Sequence, residues 1–342
     1  MHGYYDLNAF RSCIWDMEDG IDRVVKTGKK LHSKLVQQLS QSRKEGKIRL
    51  VGSSNPERLT CIIDPCAPDD TAICDFDVKV ILSGLKGNHQ RTRILEEMFP
   101  EGQTCEAYGR VDRRSVFEGF PVECSVVLPT EEKECEPCVY DTNHARGLNA
   151  DQIMAIRTLK LWLHRCGIYG GFHGGLNGVA AEELIKRRGG FTETLEWMYK
   201  HLERSQPLVL EFPIDKRNLL ENLTPDVLRR LETQLGIFMK DWKVPSNPYS
   251  FDRWEREHPS NLNLSLISPS MNPHEVYQKI ISFAHKAKPE EGGEYCSAMI
   301  LPGVGQQRCF ISFEEPLPRE RERVRGNFLR RWNAFNRGED SD

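Results

Sequence analysis

ICDFDVKVILSG, residues 73–84, predicts a strand that carries two aspartates, Asp75 and Asp77, at its start. Its Val-Ile-Leu end is typical of a strand buried in a sheet. Residues two apart on a strand point to the same face, so both carboxylates can bind the same hard divalent ions. Two Mg²⁺ ions about 4 Å apart can activate an attacking hydroxyl and neutralise a leaving pyrophosphate. Alone the pair is a weak signal, because a solvated strand end explains most such pairs.

The neighbouring segments offer further groups for the same chemistry. Residues 48–54, IRLVGSS, predict a strand that ends at Gly52 and Ser53. A glycine there permits close backbone approach, and a serine with free amides can hold phosphate oxygens. Residues 120–129, FPVECSVVLP, predict a third strand that carries Glu123. Because an unpaired buried carboxylate is costly, Glu123 is either a third metal ligand or an edge residue with water on one face.

Length and periodicity predict three units in this chain of 342 residues. Residues 1–143 combine a long helical pattern over 8–45 with the three strands. Residues 144–245 predict helices, among them one that begins near Asn149 or Asp151 and one with Thr224 as its N-cap. Residues 246–342 predict a small α/β domain with an arginine-rich C-terminal helix. The expected class is therefore α+β.

Composition narrows the setting in which the protein works. Hydrophobic residues at 39% and charged residues at 28% are typical of a globular protein, and no run of about 18 apolar residues predicts a membrane span. The acidic N-terminus lacks the order of a signal peptide. Eleven cysteines, an odd number, are expected to stay reduced, which favours a cytoplasmic location, with a nuclear one as the alternative. A net charge of −3 means that RNA contacts must come from local patches.

Two features beyond residue 150 are candidates for substrate contact. Lys160 lies on an apolar helix stripe, where a lysine either extends its charge to the rim or meets an anion. Residues 167–178, GIYGGFHGGLNG, contain six glycines but lack the Gly-Lys-Ser/Thr ending of a P-loop. The segment is either a plain helix connection or a flexible turn that lets Tyr169 lie close to a base or sugar.

Two further motifs each leave alternatives open. Cys135 and Cys138 have metal-ligand spacing, but no second pair of ligands follows, so a surface turn competes with a structural zinc site. Seven arginines lie between Arg319 and Arg337, with Phe328 and Trp332 among them. Arginines with aromatic residues suit phosphate contact and base stacking. A charged amphipathic helix that docks its aromatic side chains on the core has the same pattern.

In this order, the motifs resemble those of the archaeal-type (class I) CCA-adding tRNA nucleotidyltransferases, a family that is similar to the oligoadenylate synthetases. The resemblance covers roughly residues 45–235, and the order of the short motifs makes it specific. The matching positions are Gly52-Ser53, Asp75-Phe76-Asp77, Glu123, Asp141-Thr142-Asn143-His144, Leu159-Lys160, Tyr169-Gly170, Gly175-Leu176-Asn177-Gly178 and Phe212-Pro213-Ile214-Asp215-Lys216-Arg217-Asn218.

The resemblance implies a polymerase-β-like nucleotidyltransferase palm followed by a helical domain. It implies that Asp75, Asp77 and Glu123 hold two Mg²⁺ ions and are catalytic. The nucleotide, ATP or CTP, would be bound by Gly52, Ser53, His144, Lys160, Tyr169 and Arg217. Arg217 would lie near the base, or else form a surface ion pair with Asp215. The arginines Arg321, Arg325, Arg330 and Arg331 are the candidates for RNA contact.

The expected activity is addition of C or A residues to the 3′ end of tRNA or a tRNA-like RNA. Two departures from the family keep other activities open. The third acid is a glutamate where the family usually has an aspartate, and the chain is too short for the full body and tail that grip tRNA. A synthase of short signalling oligonucleotides is one alternative, and an inactive scaffold that binds RNA or protein is the other. The sequence does not predict an oligomeric state.

Overall fold

The computed structural model describes residues 4–42, 44–67, 73–107, 110–171, 174–258, 261–270, 272–291, 295–302, 307–314 and 321–337. It contains two compact units, Met1–Pro248 and Tyr249–Asp342. The predicted division of the first unit at residue 143 stays a prediction. No helix of the described part is long and apolar enough to cross a bilayer.

A five-stranded sheet forms the first part of unit 1. Its strands are β2 (Gly46–Val51), β3 (Phe76–Leu82), β4 (Gln103–Ala107), β5 (Arg110–Phe117) and β6 (Phe120–Val127), in the spatial order β2-β3-β6-β5-β4. The pair β3 and β6 is parallel, and the other neighbours are antiparallel. The sequence analysis predicted β2, β3 and β6 but missed β4 and β5. In β5 the charged residues of RVDRRSVF hide the alternation of apolar and polar side chains.

One face of this sheet carries the core of the palm. Phe76, Val78 and Val80 of β3 are fully buried beside Val122 of β6. Phe76 meets the Phe120 ring edge-on, with 5.6 Å between the ring centroids. Helices α2 (Glu18–Gln41) and α3 (Asn88–Met98) contribute apolar side chains to the same cluster. Since strand side chains alternate, the residues between these core positions, Asp77 among them, lie on the opposite face.

The helix predicted over 8–45 is in fact two helices, α1 (Leu7–Asp16) and α2, which meet at Met17. The two helices pack into different hydrophobic cores, which explains why the helix is interrupted at Met17. Phe10 and Ile14 of α1 pack with the helical part of unit 1, whereas Val24 and Leu31 of α2 pack against the sheet.

The rest of unit 1 is helical. Its helices are α4 (Pro129–Glu132), α5 (Glu136–Asn143), α6 (Ala150–Arg165), α7 (Gly178–Arg188), α8 (Phe191–Glu203) and α9 (Pro225–Asp241), and a short ladder joins β1 (Tyr4–Asp6) to β7 (Lys243–Pro245). The predicted cap at Thr224 is confirmed, and of the two starts predicted for α6 the structure has the one at Asn149. The Asn149 side chain accepts from the Gln152 amide, and the Thr224 side chain accepts from the Val227 amide.

Unit 2 combines a three-stranded sheet with helices. An antiparallel sheet in the order β8-β10-β9 is formed by β8 (Asn261–Ser268), β9 (Tyr295–Pro302) and β10 (Gln307–Glu314), with helices α10 (Phe251–Glu257), α11 (Pro273–Glu291) and α12 (Arg321–Asn336). Phe328 and Trp332 of α12 are buried beside Phe283, and Trp332 Nε1 donates to the Ile267 carbonyl at 3.1 Å. These two aromatic residues therefore anchor α12 to the core.

This packing predicts that Trp332→Ala lowers the free energy of unfolding of unit 2 by about 3–5 kcal/mol, because it opens a large cavity. Arg330→Ala, at an exposed position on the same helix, should change the free energy of unfolding by less than about 0.5 kcal/mol. Denaturant titration of both variants provides the measurement. Equal stability of the two variants would contradict the anchoring role.

Candidate active site

The sheet register brings the three predicted acids together. Asp77 lies beside Glu123 in the parallel pair of β3 and β6, and beside Val51 in the antiparallel pair of β2 and β3. Asp75 stands two residues before Asp77, one residue ahead of β3. The alternation of side chains therefore places all three carboxylates on the face opposite the palm core.

The carboxylates of this group destabilise one another's charges. Desolvation by the surrounding protein raises the pKa of Asp77 well above its usual value, and the charges of Asp75 and Glu123 add to the rise. Desolvation and the Glu123 charge likewise raise the pKa of Asp75. Asp75 still has an exposed surface, and that of Asp77 is partly exposed. Accessible oxygens with unfavourable mutual repulsion suit a hard cation.

Gly52 and Ser53 form a 3-10 turn, Gly52–Ser54, directly after β2. Gly52 has a positive φ of 76°, and a side chain at this position would collide with the Asp77 carboxylate. Only glycine therefore lets the turn lie against the catalytic candidate. Ser53 is partly exposed, and its carbonyl accepts from the Cys61 amide at 3.1 Å.

A buried network that the sequence analysis missed holds this turn in place. Asp141 of α5 accepts from the Gly52 amide at 3.0 Å and from Asn55 Nδ2 at 2.9 Å. Arg58 forms ion pairs with both Asp141 and Glu182 of α7. Asp141 stood in the predicted Asp141–His144 motif without an assigned role. For Arg58 and Glu182, the available sequence signal was a charged residue among neighbours whose pattern predicts burial.

Lys160 contacts an anion, and that anion is a carboxylate of the protein itself, Glu182. Its Nζ donates to Glu182 Oε1 at 2.9 Å, to the Thr60 carbonyl at 3.0 Å and to Thr60 Oγ1 at 3.2 Å. Both side chains of the ion pair are fully buried, so the alternative in which Lys160 extends to the rim is wrong. Burial would raise the pKa of Glu182, but Lys160 and Arg58 outweigh it and lower this pKa to about 2. Contact with a triphosphate would require Lys160 to leave these partners, and it stays a prediction.

Tyr169 lies beside Lys160. A Cβ atom at Gly178 would stand 3.1 Å from the Tyr169 hydroxyl and 3.5 Å from Lys160 Nζ, so this glycine permits close packing of the two side chains. Burial raises the pKa of Tyr169, and the negative charge of Asp75 adds to the rise, which places the hydroxyl within electrostatic range of the acids.

His144 and Arg217 are engaged with protein groups. The His144 ring stacks on Tyr140 with 6.1 Å between centroids, and its carbonyl accepts from Lys186. Arg217 donates to Asp215 at 3.0 Å and to Glu136 at 2.8 Å. The surface ion pair that the sequence allowed for Arg217 is therefore present, whereas its contact with a base stays a prediction.

The metal-binding potential of the acids is partial. In the described part of the chain, no three His, Cys, Asp or Glu side chains form a group that could hold a metal ion. At the predicted site, Glu123 forms an ion pair with Arg114 of β5. The oxygens of Asp75 and Asp77 fit a hard cation in charge and exposure, and the third carboxylate is already engaged.

Cys135 and Cys138 do not form a surface turn. Both are buried against Val51, and the hydrogen bond that Cys138 forms with Cys135, together with burial, raises the pKa of the Cys138 thiol. Their buried position at the start of α5 explains the pair without zinc, which the structure neither requires nor tests.

The C-terminal arginines lie on α12. Arg325 and Arg331 are partly buried, Arg330 is exposed and donates to Asn327, and the side chain of Arg321 lies outside the described residues. Because Phe328 and Trp332 are buried, they are not available for base stacking.

Comparison with solved structures finds several to which this chain is similar. The Cid1 poly(U) polymerase with Mg and 3′-dATP bound matches with a TM-score of 0.50 and 11% sequence identity, over 67% of this chain and 92% of that chain. The mtPAP N472D mutant in complex with ATPgammaS matches with a TM-score of 0.45 and 10% identity, over 68% of each chain. CdnC in the E. coli MS115-1 CdnC:HORMA-deltaN complex matches with a TM-score of 0.39 and 12% identity, over 70% of this chain and 91% of that chain.

The fold is similar to that of the Cid1 poly(U) polymerase, and the predicted α+β class is confirmed. Within that class, the finer likeness to CCA-adding enzymes stays a proposal. No protein-family model and no curated protein matches the sequence.

The Lys160–Glu182 pair predicts a measurable coupling. Lys160→Met should lower the free energy of unfolding by about 3–5 kcal/mol, because it removes one partner of a buried ion pair. Adding Glu182→Gln should recover part of this loss, giving a coupling of about 0.5–3 kcal/mol in a double-mutant cycle. Denaturant titration of the four proteins measures it, and additive effects would show that the two side chains act independently.

Proposed function

We propose that this chain is a metal-dependent nucleotidyltransferase that transfers nucleotides from a triphosphate donor without a template. One observation carries the proposal. The parallel pairing of β3 and β6 sets Asp77 beside Glu123, and the turn at Gly52 lies against the Asp77 carboxylate. Acids on adjacent strands beside a glycine-serine turn combine a cation site with a phosphate site.

Each part of the site has a role in this reaction. Asp75 and Asp77 would hold Mg²⁺, which when bound lowers the pKa of the attacking hydroxyl and neutralises charge on the leaving pyrophosphate. Ser53 and the turn that carries it would contact phosphate oxygens. The Gly52 amide already donates to Asp141, so it positions the turn and is not a phosphate donor in this arrangement. Tyr169 would contribute to the nucleotide side of the site.

The acceptor that we propose is RNA. The order of the motifs between residues 52 and 218 supports addition of C or A residues to the 3′ end of tRNA or a tRNA-like RNA, with ATP or CTP as donor. The arginines of α12 supply local positive charge on a chain whose net charge is −3. We place the reaction in the cytoplasm, where reduced cysteines and NTPs are available.

Asp77→Asn tests the catalytic assignment. It keeps the side-chain volume and removes one ligand charge, so the rate of nucleotide incorporation should fall by roughly a hundred- to a thousandfold. Asp19→Asn makes the same change at an exposed site on α2 and should leave the rate unaltered. The assay is incorporation of each labelled NTP in Mg²⁺, with total RNA or without RNA, followed by resolution of the products.

The same assay separates the remaining functions. Oligonucleotide products that form without RNA would favour a synthase of signalling oligonucleotides. Absence of any product from the folded wild-type protein would favour a binding scaffold, for which the ion pair of Glu123 with Arg114 is the supporting observation.

The α12 arginines predict salt-dependent RNA binding. Arg325→Glu with Arg330→Glu leaves the buried aromatic anchors in place and should weaken RNA binding. Each lost phosphate contact should reduce the slope of log affinity against log salt by about 0.7–0.9. Lys200→Glu, at an exposed position on α8, is a charge-reversal control. Filter binding at several salt concentrations gives the slopes, and identical slopes for the variant and wild type would exclude RNA contact by these arginines.

A further inference from the structure

Glu123 lies between an acidic residue and a basic residue of the two neighbouring strands. On β6 it lies beside Asp77 of β3 in the parallel pair, and opposite Arg114 of β5 in the antiparallel pair. Directly opposed residues on neighbouring strands bring their side chains to within contact distance on the same face. The register thus offers Glu123 two partners, the cation that Asp75 and Asp77 would bind and the Arg114 guanidinium.

Arg114 holds Glu123 in this structure. The two side chains form an ion pair with relative exposures of 19% and 26%, for Arg114 and Glu123 respectively. Partial burial strengthens the pair relative to a surface salt bridge, because water screens it less. For Glu123 to serve as a third metal ligand, a cation must displace a guanidinium that the sheet register keeps in place.

The net charge of the side chains around Glu123 also favours binding of a single cation. Asp75, Asp77 and Glu123 carry three negative charges. Arg114 and Lys79, whose Nζ donates to Ser125 Oγ at 2.6 Å on the same face, carry two positive ones. The net charge of the five groups is therefore about −1 when all are ionised, enough to attract one divalent cation.

We propose that Arg114 competes with divalent cations for Glu123, so that the free protein binds one ion through Asp75 and Asp77 while Arg114 occupies the third carboxylate. This inference rests on the proposed function in one respect, the assignment of Asp75 and Asp77 as metal ligands. It makes Arg114 a residue that sets metal affinity and stoichiometry, a role for which its sequence position gave no signal.

The experiment is titration of the full chain with Mn²⁺ in the absence of nucleotide, with free Mn²⁺ measured by electron paramagnetic resonance. Arg114→Gln should bind Mn²⁺ roughly tenfold more tightly than wild type, or take up a second ion, because Glu123 is released. Arg114→Lys retains the charge and should stay close to wild type. Arg49→Gln is the matched control, since Arg49 lies on the same sheet face but pairs with Glu132.

A second background separates competition for Glu123 from a general effect of charge. In a Glu123→Gln protein, Arg114→Gln should lose most of its effect on Mn²⁺ affinity. An effect of equal size in both backgrounds would overturn the competition. Unchanged or weaker Mn²⁺ binding by folded Arg114→Gln would also overturn it, because Arg114 would then orient Glu123 as a ligand. Arg114→Met, which keeps the apolar stem, repeats the test if the glutamine variant does not fold.

The outcomes also distinguish this inference from the proposed function. Wild-type Mn²⁺ binding that Asp77→Asn does not weaken would overturn the metal assignment itself. Binding that depends on Asp77 but not on Arg114 would overturn the competition alone. If wild type binds no Mn²⁺ and Arg114→Gln does, the competition is supported but the one-ion site of the free protein is overturned. If no variant binds Mn²⁺, both proposals fail.

Discussion

The parallel pairing of β3 with β6 is the constraint on which the rest of the site depends. It is the one parallel pair in the five-stranded sheet, and it aligns Asp77 with Glu123. A parallel neighbour requires a crossover, which here runs through α3, β4 and β5. The crossover also supplies core, because Ile94 and Leu95 of α3 are buried against the sheet. Apolar burial on one face thus fixes the register that brings like charges together on the other.

The buried charges beside the turn are tolerable because they balance. Arg58 and Lys160 supply two positive charges, and Asp141 and Glu182 supply two negative ones. A single ion buried without a partner would cost several kcal/mol, whereas the mutual pairing of these four charges roughly compensates this cost. Such a network contributes little net stability. Its effect is geometric, since it ties the turn at Gly52 to α5, α6 and α7 at once.

Local pattern in the sequence predicted the elements that carry the site. The apolar ends of β3 and β6, the glycine-serine turn after β2, and the caps at Asn149 and Thr224 all have short-range signals, and the structure contains each of them. It also places the three predicted acids on one sheet face. What they bind remains a prediction.

The parts that were missed depend on pairings between distant residues. Glu182 lies 22 residues from Lys160 and 124 residues from Arg58, so no periodicity could indicate that these three side chains meet. Strand β5 was missed for a related reason. Its charged residues have partners on β4, β6 and α3 that the local sequence does not reveal. Without those partners, the charged composition of β5 is typical of a loop.

The cations described near the acids are already engaged by protein groups. Lys160 is held by Glu182 and Thr60, Lys79 donates to Ser125, and Arg114 pairs with Glu123. A triphosphate that entered this site would bring three or more negative charges toward acids that already repel one another. Either it arrives with its own divalent cation, or one of these side chains changes partner. The first route needs no rearrangement of buried ion pairs, and the balanced network around Glu182 opposes the second. The geometry therefore favours delivery of a further metal ion together with the nucleotide, in addition to the ion that Asp75 and Asp77 would hold in the free protein.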